Sequence, residues 1–182
     1  SCSNGAPRAR LGVEGTIPGD LGYKLEVDVA TGDVEFADAY LSYKPGDVEF
    51  IVGQHNNFQS LEELSSSLHT SFIERAAFTD AFNLERRVGA SATYAKGPLL
   101  LQGGVFTDSI ADLNTTGDDN NSFGFDGRAV FAPKLGDNQL HFGASYHWRD
   151  LNDAADPRYR QRPAVHTTDV RFIDTGNIVG AE

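Results

Sequence analysis

The sequence predicts an all-β protein, an antiparallel sheet of the kind that closes as a transmembrane β-barrel, and three observations predict it. Apolar and polar residues alternate with period two along most of the chain, the mark of strands with one wet and one dry face. Short turns rich in Gly and Pro alternate with long polar loops. Several strands reach the ~9–11 residues that cross a bilayer at a tilt, and Tyr23, Tyr43, Tyr94, Tyr146 and Trp148 stand near strand ends, as interfacial aromatic girdles do. Alternation alone fits a soluble sandwich equally well. The other two observations favour the barrel.

Nine strands follow in order. Residues 8–15 set Arg8, Arg10, Gly12 and Glu14 opposite Ala9, Leu11 and Val13. Residues 21–30 place Tyr23, Leu25, Val27 and Val29 on one face and Lys24, Glu26 and Asp28 on the other. Less regular strands are expected at 35–44, 48–54, 86–96 and 99–107. Residues 122–132 oppose Phe123, Phe125, Ala129 and Phe131 to Ser122, Asp126 and Arg128. The clearest strand is 139–149, where Leu140, Phe142, Ala144, Tyr146 and Trp148 alternate with Gln139, His141, Gly143, Ser145, His147 and Arg149. A ninth is expected at 167–174. Tight turns are predicted at 18–20, 45–47, 97–98 and 135–137, where Gly or Pro reverses the backbone.

The remaining connections are long: a polar stretch at 110–121, an Arg/Pro/Asp-rich stretch at 151–165, and an insertion at 55–85. The insertion reads as the one helical region, because Ser60-Leu61-Glu62-Glu63 and Ser71-Phe72-Ile73-Glu74 both fit the S/T-x-x-E capping box. A structured insertion of that length is expected to serve function.

Composition bounds the rest. The 182 residues carry 15 Lys and Arg against 26 Asp and Glu, a net charge of −11, which excludes a general nucleic-acid binder because phosphate neutralisation needs a basic surface. No window approaches ~18 apolar residues, so no transmembrane helix is expected, and the N-terminus has no charged-then-apolar signal pattern. The absence of Met predicts a processed chain or an excerpt of a longer one. Cys2 stands alone, which leaves no disulfide framework, redox pair or multi-Cys metal site.

Catalytic chemistry finds little support. There is no GxSxG, HExxH or phosphate-loop motif, and carboxylate pairs such as Glu62/Glu63 and Asp118/Asp119 are adjacent residues rather than groups facing across a cleft. His141 and His147 lie ~20 Å apart along a strand, too far for one metal ion. The run from Asp112 begins like a calcium loop, but its twelfth residue is Phe123 where a Glu is needed. No catalytic residue, metal or cofactor is expected. On the wet face Arg8, Arg10, Glu14, Lys24, Glu26, Asp28, Arg87, Arg128 and Arg149 fit either a hydrated lumen or a solvated exterior.

A family resemblance joins these features. The order Arg8-Ala9-Arg10-Leu11-Gly12-Val13-Glu14-Gly15, Tyr23-Lys24-Leu25-Glu26, Asp38-Ala39-Tyr40-Leu41-Ser42-Tyr43, Val52-Gly53-Gln54, Ser60-Leu61-Glu62-Glu63-Leu64, Phe72-Ile73-Glu74-Arg75-Ala76, Arg86-Arg87-Val88-Gly89 and Arg171-Phe172-Ile173-Asp174-Thr175-Gly176-Asn177 resembles the phosphate-selective porins O and P of Gram-negative outer membranes. The resemblance implies part of a sixteen-stranded antiparallel barrel, a homotrimer in outer-membrane lipid, passing small inorganic anions such as phosphate or polyphosphate by passive diffusion, with no cofactor. By it, residues 1–7 are an N-terminal extension or tag and residues 8–182 an incomplete barrel region. Residues 55–85 map to the loop that folds inward to constrict the pore. Arg8, Arg10, Arg75, Arg86 and Arg87 become the leading anion contacts, with Lys24 and Arg128 as further pore-lining cations. Arginine suits the task, since it is permanently charged and its planar fork matches phosphate oxygens, while a succession of such groups lets an anion leave each one. The net charge of −11 points to a less selective member of the family. The alternative is a soluble β-rich ligand- or carbohydrate-binding module with Tyr146, Trp148 and Tyr159 as stacking aromatics.

Overall fold

The alternating segments form strands because β-branched and aromatic side chains fit a pleated surface and successive residues point to opposite faces. A computed structural model describes residues 9–30, 34–65, 76–82, 86–113, 122–151, 158–161 and 170–178. Eight strands make one sheet: β1 (Arg10–Ile17), β2 (Leu21–Asp28), β3 (Glu35–Tyr43), β4 (Val48–Asn56), β5 (Arg86–Lys96), β6 (Leu99–Phe106), β7 (Phe123–Phe131) and β10 (Phe142–Asp150). Each is antiparallel to its neighbour in sequence order, β1-β2-β3-β4-β5-β6-β7-β10. Between β7 and β10 the turn extends into a small hairpin of β8 (Lys134–Leu135) and β9 (Asn138–Gln139).

Register aligns two contrasting rows across the full width of the sheet. One runs Gly15, Tyr23, Leu41, Val52, Ala90, Val105, Phe125, Trp148, and the next runs Thr16, Gly22, Ser42, Ile51, Ser91, Gly104, Asp126, His147. The first row is apolar and faces outward, with Leu41 64% and Val52 63% exposed, while on the second Asp126 is only 2% exposed. This distribution is the reverse of a water-soluble core, where large apolar side chains are buried and carboxylates exposed. On the outer face Phe125 meets Tyr146 and Trp148 at centroid distances of 5.5 and 5.7 Å.

Two of the buried apolar residues, Phe58 and Phe106, meet on the inner face where the chain leaves β4. Phe58 packs edge-on to Phe106 at 6.0 Å, and the His55 ring lies 5.1 Å from Phe106. Gly89 makes room for this contact, since a Cβ there would meet the Phe106 ring. Gly53 has φ +129°, and a Cβ would collide with the backbone of Ala39 and Tyr40, so the wall at that point accepts only glycine.

The sheet is open: among the described residues β1 and β10 each pair on one side only, and the strands number eight in the sheet rather than sixteen. The expected ninth strand is shortened to β12 (Ile173–Asp174), which pairs with β11 (Arg160–Gln161) as a separate hairpin instead of joining the sheet. Of the rest of that strand's predicted span, 170–172 is not strand and 167–169 is outside the described residues.

The helices also depart from expectation. Helix α1 (Leu61–Leu64) begins where predicted, but Ser60 makes no side-chain cap; the Glu62 carboxylate instead accepts a hydrogen bond from the Ala76 N–H at 2.7 Å. Helix α2 (Ala77–Ala81) follows the predicted box at 71–74, which lies outside the described residues, as do Arg8, Arg75 and positions 114–121 of the calcium-like run. The insertion is not the sole helical region. Helix α3 (Ile110–Leu113) forms in the stretch read as loop, capped by Ser109, whose Oγ accepts from the Asp112 N–H at 3.3 Å and donates to the Asp112 carboxylate at 2.8 Å.

Candidate functional site: the inner face of the sheet

The polar row and its neighbours form a wall whose charges are arranged by register. On β1–β3 the cations sit among carboxylates. Arg10 reaches Glu26 at 3.1 Å and Asp28 at 3.2 Å, and Lys24 reaches Asp38 at 2.7 Å and Glu26 at 3.5 Å. Arg86, from the start of β5, meets Asp38 at 2.5 Å. A bulge makes this possible: pairing shifts between Leu25/Ala39 and Val27/Phe36, so Ala37 and Asp38 together oppose Glu26. That places the Asp38 carboxylate between Lys24 and Arg86. Three of the predicted anion contacts are thereby brought into one chain of ion pairs.

Arg87 stands opposite His55 on the adjoining strand and is 6% exposed. The His55 ring donates through Nδ1 to the Gly53 carbonyl at 3.0 Å and meets Ser91 Oγ through Nε2 at 2.8 Å. Gln54, buried, donates to the carbonyls of Phe36 and Ala37 and accepts from the Ile110 N–H at 2.7 Å, tying the strand end to α3.

On β6, β7 and β10 the pattern changes. Arg128 donates through Nη1 to the neutral Gln102 Oε1 at 3.2 Å, and Gln102 in turn donates to Thr93 Oγ1 at 3.3 Å. Arg149 donates to Asp108 Oδ1 at 2.6 Å and to Ser122 Oγ at 2.8 Å. Asp108 also accepts from the Ser122 N–H at 2.7 Å and from its hydroxyl. Burial pushes the Asp108 carboxyl up, but the Ser122 donors and the Arg149 guanidinium outweigh it and hold the group below the usual carboxylate value. His147 donates through Nδ1 to Asp126 Oδ1 at 2.6 Å, an oxygen that also accepts from the side chain of Gln59 at 2.9 Å.

The inner face thus gathers five of the predicted residues, Arg10, Lys24, Arg86, Arg87 and Arg128, at different depths and with different partners. Sequence reasoning about the site passed over Asp38, Asp108, Asp126, Gln59 and His147. Parity along the strands placed Asp126 and His147 on the wet face with Arg128 and Arg149, but parity says nothing of pairing, so neither was singled out. The alternative stacking set is not assembled: Tyr146 and Trp148 lie on the outer face, and Tyr159 contacts Phe82 in the loops.

A wall of paired and partly paired charges with an apolar back can guide small solutes past it. Among the described residues no group of three or more His, Cys, Asp or Glu side chains is placed to hold a metal ion. Comparison with known proteins agrees with that picture. A Caulobacter vibrioides protein, described only as uncharacterized, is 52% identical over 176 residues, an alignment covering 92% of this chain and 36% of that protein. The chain therefore spans about a third of the length of this curated relative. The family profile for phosphate-selective porin O and P matches residues 3–182, nearly the whole chain. With its inverted sheet and polar inner wall, the chain belongs to the phosphate-selective porin O and P family.

Proposed function

We propose that the chain forms part of the wall of a porin in a Gram-negative outer membrane, passing small anions such as phosphate or polyphosphate by passive diffusion, without catalysis or cofactor. The observation that carries the reading is the inverted sheet: apolar side chains exposed outward across eight strands, polar and charged ones half-buried inward. Such a face suits lipid outside and a hydrated lumen inside. Residues 8–182 then act as one barrel region, the eight strands as half of a sixteen-stranded barrel with β1 and β10 as the edges that the rest would pair. In this reading Arg8, Arg10, Lys24, Arg75, Arg86, Arg87 and Arg128 attract the anion, and the protein assembles as a homotrimer.

The test is conductance across a planar bilayer after adding the protein extracted in detergent from outer membranes, with a salt gradient for ion preference and phosphate as competitor. Stable single-channel steps with anion preference, reduced by phosphate, are expected. Steps that prefer cations and ignore phosphate would leave a porin but overturn the anion assignment, and a protein without steps would overturn the channel.

A further inference from the structure

The chain leaving β4 does not swing out from the sheet. Asn57 is fully buried and Phe58 nearly so, both against the inner face. The next residue, Gln59, crosses to strands far along the sheet: its single amide nitrogen donates to Asp126 Oδ1 on β7 at 2.9 Å and to the Tyr146 carbonyl on β10 at 3.0 Å. Two hydrogen bonds from one side chain therefore join the start of the insertion to the opposite end of the sheet. Ser60 follows with φ 55° and ψ 122°, a left-handed conformation that a non-glycine residue adopts at a cost and keeps only where neighbours impose it. Ser60 stands between the Gln59 contacts on one side and α1 on the other. Asp126 is otherwise poorly satisfied, with Oδ1 shared between Gln59 and His147 and Oδ2 buried without a hydrogen-bond partner. Removing the Gln59 amide would leave this carboxylate with His147 alone among these contacts.

We infer that Gln59 is the positioning residue that holds the first part of the insertion, residues 57–65, against the inner wall and thereby sets the open width of the lumen. The inference rests on the porin reading for its consequence, though not for its geometry. With the amide gone, the strained backbone at Ser60 relaxes, the segment 57–65 lifts from β7 and β10, and the passage widens and fluctuates.

Two substitutions test it, in the detergent-extracted protein. Gln59→Leu keeps most of the volume and removes both donors. Gln59→Glu places a second carboxyl against Asp126. In Gln59→Leu, hydrogen exchange at backbone amides of 57–65 is expected to quicken about tenfold, with β5 and β6 unchanged. In bilayers the open current is expected to be larger, with frequent brief substates. Gln59→Glu is expected to match Gln59→Leu at pH 7 and to return to the parent pattern below about pH 4, where protonation removes the repulsion and restores a donor. That pH reversal is something a general loss of folding would not produce. Unchanged exchange in both variants, or a Gln59→Glu channel as noisy at low pH as at neutral pH, overturns the inference. If the parent protein forms no channels, the porin reading falls and the exchange measurement still decides whether Gln59 holds the loop.

Discussion

The two ends of the inner face carry similar residues and treat them differently. Toward β1, Arg10 of β1, Lys24 of β2 and Arg86 from the start of β5 are interleaved with Glu26, Asp28 and Asp38, so every one of these cations faces a carboxylate within 3.5 Å. On β6 and β7, Arg128 is held by the neutral Gln102. In the first arrangement the wall's own carboxylates neutralise the cations, and in the second the charge of Arg128 faces a neutral amide. Counting basic residues on a wet face therefore overstates the field an anion meets, because cross-strand register decides which cations are already neutralised.

Breaking the first wall gives the largest expected effect. Asp38 is the joint acceptor of Lys24 and Arg86, so Asp38→Ala strands the half-buried Arg86 and leaves Lys24 only the longer contact to Glu26 at 3.5 Å. Removing one partner of a buried pair costs ~3–5 kcal/mol, reduced here because both cations keep about a quarter of their surface in water; about 2 kcal/mol is expected. The heat-induced unfolding midpoint in detergent should fall accordingly. The same substitution removes the carboxylate between two cations, so reversal potentials should move toward anions. A lower midpoint with unchanged ion preference would show that the freed cations find other acceptors.

Asp108→Asn, at the mouth end of the second wall, is expected to cost about 1 kcal/mol, since the amide loses the charge-assisted bond from Arg149 but retains an acceptor for Ser122. Its pH signature fixes the assignment. Asp108 is held below the usual carboxylate value, so its contribution is complete above pH ~4 and is lost as pH falls through its lower folded value. The unfolding midpoint of the parent should therefore drop more steeply in acid than that of Asp108→Asn. Parallel acid limbs would remove Asp108 from the account.

Arg128 sharpens the comparison from the other side. Losing a charge-assisted contact to a hydrated anion costs roughly 1 kcal/mol, so Arg128→Gln should weaken phosphate block of the current about fivefold. Arg10→Gln should change it less than twofold, because Glu26 and Asp28 already occupy that guanidinium. Equal effects would mean that net lumen charge, and not local pairing, governs the anion.

How far these features were legible follows from the range over which each is decided. Facing was legible in the four strands of clear alternation, because a period of two is written residue by residue: Lys24, Glu26 and Asp28 are inward and Leu25 and Val27 outward, as read. Pairing was not. Arg86 meets Asp38 across 48 positions, and only the bulge in β3 aims the carboxylate at it. Local capping was half legible: Ser60 fits the pattern but lies in a left-handed conformation, while Ser109-Ile110-Ala111-Asp112 carries the same chemistry with Asp in place of Glu and does cap. The ninth strand had alternation enough around Phe172, yet a strand exists only where a neighbour offers its backbone, and here β11 offers two residues.

The smallest effect is expected where the pair looks best. Arg158 grips Asp174 with two parallel hydrogen bonds, 2.7 and 2.5 Å, in the loop hairpin of β11 and β12. The Arg158 guanidinium, with a second contribution from the Gly176 N–H, pulls the Asp174 carboxyl down to about 2, and Arg158 is raised in turn. A depressed carboxyl contributes fully above its unfolded value of 3.8 and loses that contribution as pH falls toward about 2. Both groups are exposed, however, so water and salt screen the attraction and ordering two side chains offsets much of it. Asp174→Asn should leave the unfolding midpoint and the single-channel current unchanged at 0.15 M salt. A measurable drop in either would mean that the pair does more than decorate the hairpin: it would be fixing Tyr159 against Phe82 on the loop helix, and through that contact the insertion that Gln59 holds from below. Good geometry alone does not make an ion pair matter; what decides it is how far the pair is shielded from water, and the Asp38 carboxylate, 9% exposed, is shielded where the hairpin pair is not.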